Sequence, residues 1–420
     1  MNELIKKVRK KGFFHIFSAN VFNKIIQFCS GIFLVRLLTQ SEFGNYSYAQ
    51  NILNIFLIFN GLGVLYALLQ FGSESDTNSK RNTYFKFGFK VGISFNIVIV
   101  LAMSGYGLFV DFPNHQTQLA LFMMLLMPFM MFSFEYIQNY LRTGLHNIEF
   151  SRLSTLNTFL IFGFSVIGSI LNGVYGVIIG VYVAYLASII VGFFFINKKG
   201  KLFSQTGKIS KNDKKEFLNY SIISMFSNAV SQLVYLIDIF LIGLLIRDTE
   251  VLAIYKTATL IPFALNFIPL SIMTFIYPYF AKNREDKNWI RVNYIKIQRL
   301  LIVFNAFVVL ILIIGAPIVI KVLFGDNYLE SVTLLRILCI GYFIGGSFRI
   351  PAGNVLAMMR KVKFLFITNV IVGIINVCMD FILIKTFSAM GAAVTTVFVI
   401  TLTSVIYNIY LFFILKKNRM

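Results

Sequence analysis

The chain has 420 residues, of which 58% are hydrophobic and only 13% charged, with a mean hydropathy of +0.78. A soluble domain cannot keep so apolar a surface in water, so composition alone points to the membrane. The net charge of +21 would suit a nucleic-acid partner by magnitude, but its distribution along the chain argues for topology instead.

Twelve apolar runs are each long enough to cross about 30 Å of hydrocarbon. They cover residues 13–35, 46–69, 85–110, 117–141, 152–171, 174–196, 218–246, 252–280, 298–320, 332–357, 364–385 and 390–415. Asn172-Gly173 marks a tight hairpin between the fifth and sixth. With the N-terminus in the cytoplasm, and residues at span ends counted with the adjoining segment, 30 of the 38 Lys and Arg residues fall on the cytoplasmic side and 5 on the outer side, and Lys24, Lys256 and Arg349 remain within spans. That asymmetry predicts that both termini are cytoplasmic. The basic excess then serves membrane lipid headgroups and no nucleic acid.

The first run carries polar residues on one helical face: Asn20, Lys24 and Gln27, followed by Gly31. Lys24 sits about 16 Å deep at 1.5 Å per residue, where a cation costs about 2.5–3.5 kcal/mol to insert. Such a face is expected to line a protein-walled cavity. As a binding group, Lys24 would hold a diphosphate or an acidic sugar; as a structural group, it would pair with Asp238. In the fourth run, Glu135 and Arg142 lie seven apart on one face. They are either the lining of an entrance or a solvated helix end.

Residues 197–217 carry seven lysines among Gly, Ser, Asn and Gln. They read as a basic cytoplasmic linker between an N-terminal six-helix bundle, 1–196, and a C-terminal one, 218–420. The seventh run repeats the polar stripe of the first, with Ser224, Asn228, Ser231, Tyr235 and Asp238 in helical register. At an offset of 208, Asn20 meets Asn228, Lys24 meets Gln232 and Gln27 meets Tyr235; near the last helix of each half, Gly176 and Gly391 open similar apolar runs. The expected fold is therefore all-α and polytopic, with twelve transmembrane helices in two six-helix bundles related by pseudo-two-fold symmetry.

The eighth run holds Pro262, Pro269 and Pro278, each of which removes a backbone donor and permits bending. In the tenth, Arg349 has Tyr342, Gly345, Gly346 and Gly353 on or near its face. Arg suits bidentate phosphate contacts, or its guanidinium is anchored to helix carbonyls near Pro351. In the eleventh, Asn369, Gly373, Asn376 and Asp380 form a further stripe. Asp238 and Asp380 could each carry a coupling proton or pair with Lys24 or Arg349.

Enzyme chemistry finds little support. His15, His115 and His146 are scattered, Cys29, Cys339 and Cys378 all lie within spans, and no phosphate-binding glycine loop or metal spacing occurs. No metal, catalytic residue or cofactor is expected, apart from a coupling ion, proton or sodium. The outer loops are too short for a catalytic domain. The alternatives from other classes are a membrane-embedded polysaccharide polymerase or glycosyltransferase, which would need charged residues clustered at one face, and a cation-coupled drug exporter, which would favour an acidic cavity.

The stretch SANVFNKIIQFCSGIFLVRLLTQSEFGNYSYAQNI, and within it Arg36, Leu37, Leu38, Glu42, Phe43, Gly44 and Tyr46, resembles the opening of bacterial polysaccharide-unit flippases. These are the Wzx-like, polysaccharide transporter branch of the MOP exporter superfamily. LFGDNYLESVTLLRILCIGYFIGG, from Leu323 to Gly346, is similar to that family's region around its tenth span. The resemblance implies a flippase of the bacterial cytoplasmic (inner) membrane. It would move an undecaprenyl-diphosphate-linked oligosaccharide between leaflets by alternating access, for O-antigen, capsule or a related glycan. A polymerase and chain-length proteins would be its partners. The substrate-binding candidates are Lys24, Arg349, Asn20, Gln27, Asn228 and Tyr235. Asp238 and Asp380 are the coupling or ion-pair candidates, and Glu135 and Arg142 the entrance.

Overall fold

A computed structural model describes residues 13–199 and 206–416. Among the described residues every regular element is helical. Nine helical stretches among the described residues are apolar and long enough to cross a membrane, so the chain is a multi-pass membrane protein. The chain forms two compact units, Met1–Gln232 and Leu233–Met420.

In the first unit, α1 (Phe13–Leu37) is the apolar run that carries the first polar stripe. A capping box starts α2 (Gln40–Leu57): the Thr39 hydroxyl accepts from the Glu42 amide, and the Glu42 carboxylate accepts from the Thr39 amide at 3.0 Å. The expected second span is not one continuous helix. Gly61, Leu62 and Gly63 all adopt left-handed backbone, with φ of 59°, 55° and 69°, and α3 (Val64–Ser73) resumes beyond them. Asn96, fully buried in α4 (Asn78–Phe109), secures the break. Its Oδ1 accepts from the Gly61 amide at 2.7 Å, and its Nδ2 donates to the Pro128 carbonyl at 3.0 Å.

The fourth span is also interrupted, between α5 (His115–Met123) and α6 (Met127–Thr143). One phenol serves both sides of this gap: Tyr182 accepts from the Leu126 amide at 3.1 Å and donates to the Met123 carbonyl at 2.8 Å. In α7 (Asn147–Lys199) the chain reverses at Asn172 and Gly173, the hairpin expected from the sequence. Its two arms nearly touch: a Cβ on Gly168 would lie 2.0 Å from the Gly176 carbonyl oxygen. Against the first arm packs α1, through Asn23, whose amide donates to Ser154 Oγ at 3.0 Å. The helix α8 (Lys211–Leu245) begins in this unit. Phe217 is buried and stacks on Tyr84, and just before the helix the Gly207 amide donates to Thr83 Oγ1 at 2.8 Å.

The second unit takes the end of α8 and α9 (Thr249–Leu265), capped by Asp248. The expected eighth span breaks at Asn266, where α10 (Phe267–Lys282) begins. Asp286 caps α11 (Lys287–Leu323) by accepting from the Trp289 amide at 2.9 Å. Between α12 (Ser331–Ile344) and α13 (Ile350–Met358), residues Gly345–Arg349 form a wide π turn. This unit also ends in a hairpin, α14 (Val362–Phe387) and α15 (Ala389–Lys416). There a Cβ on Gly391 would fall 2.1 Å from the Leu383 carbonyl oxygen. Each unit therefore contains a hairpin in which a glycine lets two helix backbones meet, and these include Gly176 and Gly391, which open the similar apolar runs of the two halves.

Candidate functional site

A small cavity inside the second unit gathers residues that the sequence presents far apart. Asp238 of α8, Tyr342 of α12, Arg349 of the π turn, Asn376 of α14 and Thr396 of α15 all line it. Its volume of about 40 Å³ suits a few waters or an ion, and is far too small for a sugar.

The chemistry of the wall is one-sided. Asp238 and Asp380 are buried, with 6% and 0% exposure. Asp238 Oδ2 accepts from the Tyr255 hydroxyl at 2.6 Å and from Thr396 Oγ1 at 2.5 Å. Asp380 Oδ2 accepts from Asn376 Nδ2 at 3.1 Å, and the two carboxyl groups lie within hydrogen-bonding range of each other. Three oxygens have no donor among the described residues: Asp238 Oδ1, Asp380 Oδ1 and Asn376 Oδ1. Buried oxygens of this kind are costly unless something positive meets them. The set can take a proton or a small hard cation, which prefers oxygen ligands. Among the described residues no three His, Cys, Asp or Glu side chains form a metal-type cluster.

Arg349 reaches the same cavity by a local device. The π turn directs its guanidinium back over Gly345, where an added Cβ would lie 4.0 Å from Nε and Nη2. Asn305, fully buried in α11, holds the turn: its Nδ2 donates to Ser347 Oγ at 3.0 Å, and its Oδ1 accepts from Tyr342 at 2.8 Å. Sequence reasoning missed Asn305, Tyr255 and Thr396 as parts of this site. Asn305 had a signal, as the lone amide inside the apolar run of residues 300–314.

In the first unit, Asn20, Lys24 and Gln27 form an exposed stripe on α1, and Lys24 Nζ donates to Gln27 Oε1 at 3.1 Å. Asn228 donates to the Tyr66 hydroxyl. Glu135 is exposed on α6, with Tyr66 and Tyr185 as electrostatic neighbours. Arg142, nearer the end of the same helix, rests its guanidinium 6.0 Å from the Phe150 ring. The side chains of Tyr235 and Ser231 lie outside the described residues.

Among solved structures the fold recurs with little sequence identity. The lipid II flippase MurJ in an inward closed conformation matches with a TM-score of 0.77 at 15% identity, covering 96% of this chain and 87% of that one. An inward-facing multidrug resistance MATE family transporter of the MOP superfamily matches at 0.73 and 12%, covering 95% and 96%. A MOP superfamily transporter from Pyrococcus furiosus, described by the reverse polarity of its binding pocket, matches at 0.65 and 12%, covering 96% and 94%. A search of curated proteins finds no match by sequence. The profile of the family described as polysaccharide biosynthesis protein matches residues 33–333. With well over half of its length inside that match, the chain belongs to the polysaccharide biosynthesis protein family.

Proposed function

We propose that the chain is a flippase that carries a lipid-linked saccharide across the bacterial cytoplasmic membrane, with both termini on the cytoplasmic side. The observation that carries this reading is the family match over residues 33–333. The fold supports it, since it recurs in a lipid II flippase and in exporters of the MOP superfamily. The finer expectation is an undecaprenyl-diphosphate-linked repeat unit for O-antigen or another surface glycan.

The residues divide the work by charge. Lys24, with Asn20 and Gln27 beside it, offers a cation and amide groups to a diphosphate and sugar hydroxyls; Arg349, also a cargo candidate from the sequence, lines the small cavity of the second unit. Asn228 and Tyr235 are the further binding candidates from the seventh run. The oxygens around Asp238 and Asp380 accept the coupling ion, proton or sodium. Binding it replaces mutual repulsion of two carboxylates with attraction, so occupancy biases how α8, α14 and α15 pack. A conformational equilibrium responds to a ligand by its differential affinity for the two states, and that is how a gradient would drive alternating access.

The test is reconstitution of the purified chain in liposomes with a fluorescent polyprenyl-diphosphate oligosaccharide. Transbilayer movement that depends on the protein and on a proton or sodium gradient supports the reading. Export of cationic dyes without glycolipid movement would replace it with the drug-exporter reading.

A further inference from the structure

A second concavity lies at one end of the second unit, away from the Asp238–Asp380 cavity. Three chain segments build it: the turn before α11, the turn before α14, and the last turns of α15. Its volume is about 550 Å³, within the ordinary range of small-ligand sites and ample for one phospholipid headgroup. All three segments belong to the side to which the charge asymmetry assigns the basic loops.

The lining has two characters. Arg284, Lys287, Arg360 and Lys361 supply four cations against one carboxylate, Glu285. That carboxylate is already engaged, by Arg284 Nε at 3.1 Å, and is 90% exposed. The opposite wall is apolar, with Met359, Tyr410, Phe413 and Ile414. Tyr410 stacks on Phe364 at 3.7 Å between ring centres, so this wall is rigid, whereas Phe413 is 66% exposed on a helix apolar enough to cross the membrane. Beneath lies a close-packed core that includes Phe280, Tyr294, Met358 and Leu411.

Arg360 holds a left-handed backbone, φ 61°, directly before α14. The α14 N-terminus has no side-chain cap, in contrast to α11, which Asp286 caps. This N-terminus follows on Lys361, which lines the basin, and adds partial positive charge beside it. Cations on one wall and an apolar surface continuous with the lipid-facing side on the other describe an amphiphile with an anionic head.

We propose that this basin binds the phosphate headgroup of an anionic glycerophospholipid, with Arg284, Lys287, Arg360 and Lys361 on the phosphate and the Tyr410–Ile414 wall against the glycerol and first acyl methylenes. The site is distinct from the cargo candidates: Lys24, Arg349, Asn20 and Gln27 do not line it. Bound lipid would tie the α10–α11 turn to the α14 N-terminus.

The experiment is native mass spectrometry of the full chain in detergent, titrated separately with phosphatidylglycerol, phosphatidylcholine, undecaprenyl diphosphate and inorganic phosphate. The variant Arg284→Gln, Lys287→Gln, Arg360→Gln, Lys361→Gln is compared with a control that removes as many charges elsewhere, Lys80→Gln, Lys86→Gln, Lys90→Gln, Lys208→Gln. Phosphatidylglycerol should be retained about tenfold less by the first variant, unchanged by the control, and displaced by salt. Phosphatidylcholine and inorganic phosphate should bind the wild type weakly. Equal retention in wild type and first variant overturns the site, and equal loss in both variants reduces it to general surface charge, overturning it too. A first variant that loses undecaprenyl diphosphate more than phosphatidylglycerol overturns the lipid assignment in favour of the cargo. Liposome transport, measured separately, can fail without changing any of these outcomes.

Discussion

Asp238 and Asp380 bring two carboxyl groups together inside the second unit, and each leaves its Oδ1 without a donor among the described residues. Three neutral side chains, Tyr255, Thr396 and Asn376, satisfy the other oxygens.

Asp380→Asn removes one of the two charges that would hold a coupling ion. Ion affinity should fall at least about tenfold, by analogy with the loss of single groups around metal sites. With less repulsion to contain, the ion-free protein should melt no lower than the wild type. Thermal-shift curves in sodium and in choline over a range of pH check both effects. If sodium or protons stabilise the variant as much as the wild type, the ion lies elsewhere.

Lys24→Ala should abolish most glycolipid movement, while Lys24→Arg should keep more of it, because charge matters more than shape for a diffuse anion. An ion pair with Asp238 would give a similar loss, since stranding a buried partner is itself destructive. The double variant Lys24→Ala, Asp238→Asn separates the two. Recovery of transport there would make the lysine a structural partner rather than a binding group.

Asn96→Leu keeps the volume but strands the Gly61 amide and the Pro128 carbonyl. Each buried unpaired group costs about 1–3 kcal/mol, so the loss of two should be roughly 2–6 kcal/mol by denaturant titration in mixed micelles. Asn96→Asp retains an acceptor for Gly61 and should fall between the two.

Gly391→Ala and Gly168→Ala each place a methyl about 2 Å from a backbone oxygen of the facing helix. Overpacking of this kind costs about 1–3 kcal/mol, and backbone cannot swing aside as a side chain can. Gly105→Ala meets nothing within 4 Å and should stabilise α4 by about 0.5–1 kcal/mol. Melting temperatures of the three variants should order accordingly.

The helical runs were legible because hydrocarbon-length apolar segments have few other solutions. The Asn172-Gly173 hairpin was legible because glycine accepts the φ of 51° found there. The breaks at 61–63, 124–126 and 266 were not read from hydropathy, which stays apolar across them, although Asn60-Gly61, Pro128 and Pro269 lie at or beside them. Leu62, left-handed at φ 55°, carries no turn signature at all; Asn96 makes that conformation tenable from another helix. In the site, Asp238 and Asp380 stood out individually, as charges in apolar runs must. Their convergence did not, because helical periodicity gives the face of one helix and not the neighbour it meets. Pairing with Lys24 or Arg349 was the natural sequence expectation for both acids. The donors that contact them include the hydroxyls of Tyr255 and Thr396 and the Asn376 amide, residue types too common in membrane helices to stand out.

Tyr182 serves the gap between α5 and α6 from the second arm of α7, holding one atom of each side. A single phenolic oxygen thereby acts as donor and acceptor for a helix to which it does not belong. Position 182 and the stretch 123–128 should consequently drift together among related chains. A lineage that restores a continuous helix there by losing Pro128 is free to lose the tyrosine, and one that keeps the proline is not. The break thus leaves a trace that can be read without coordinates, as a correlated pair some 55 positions apart.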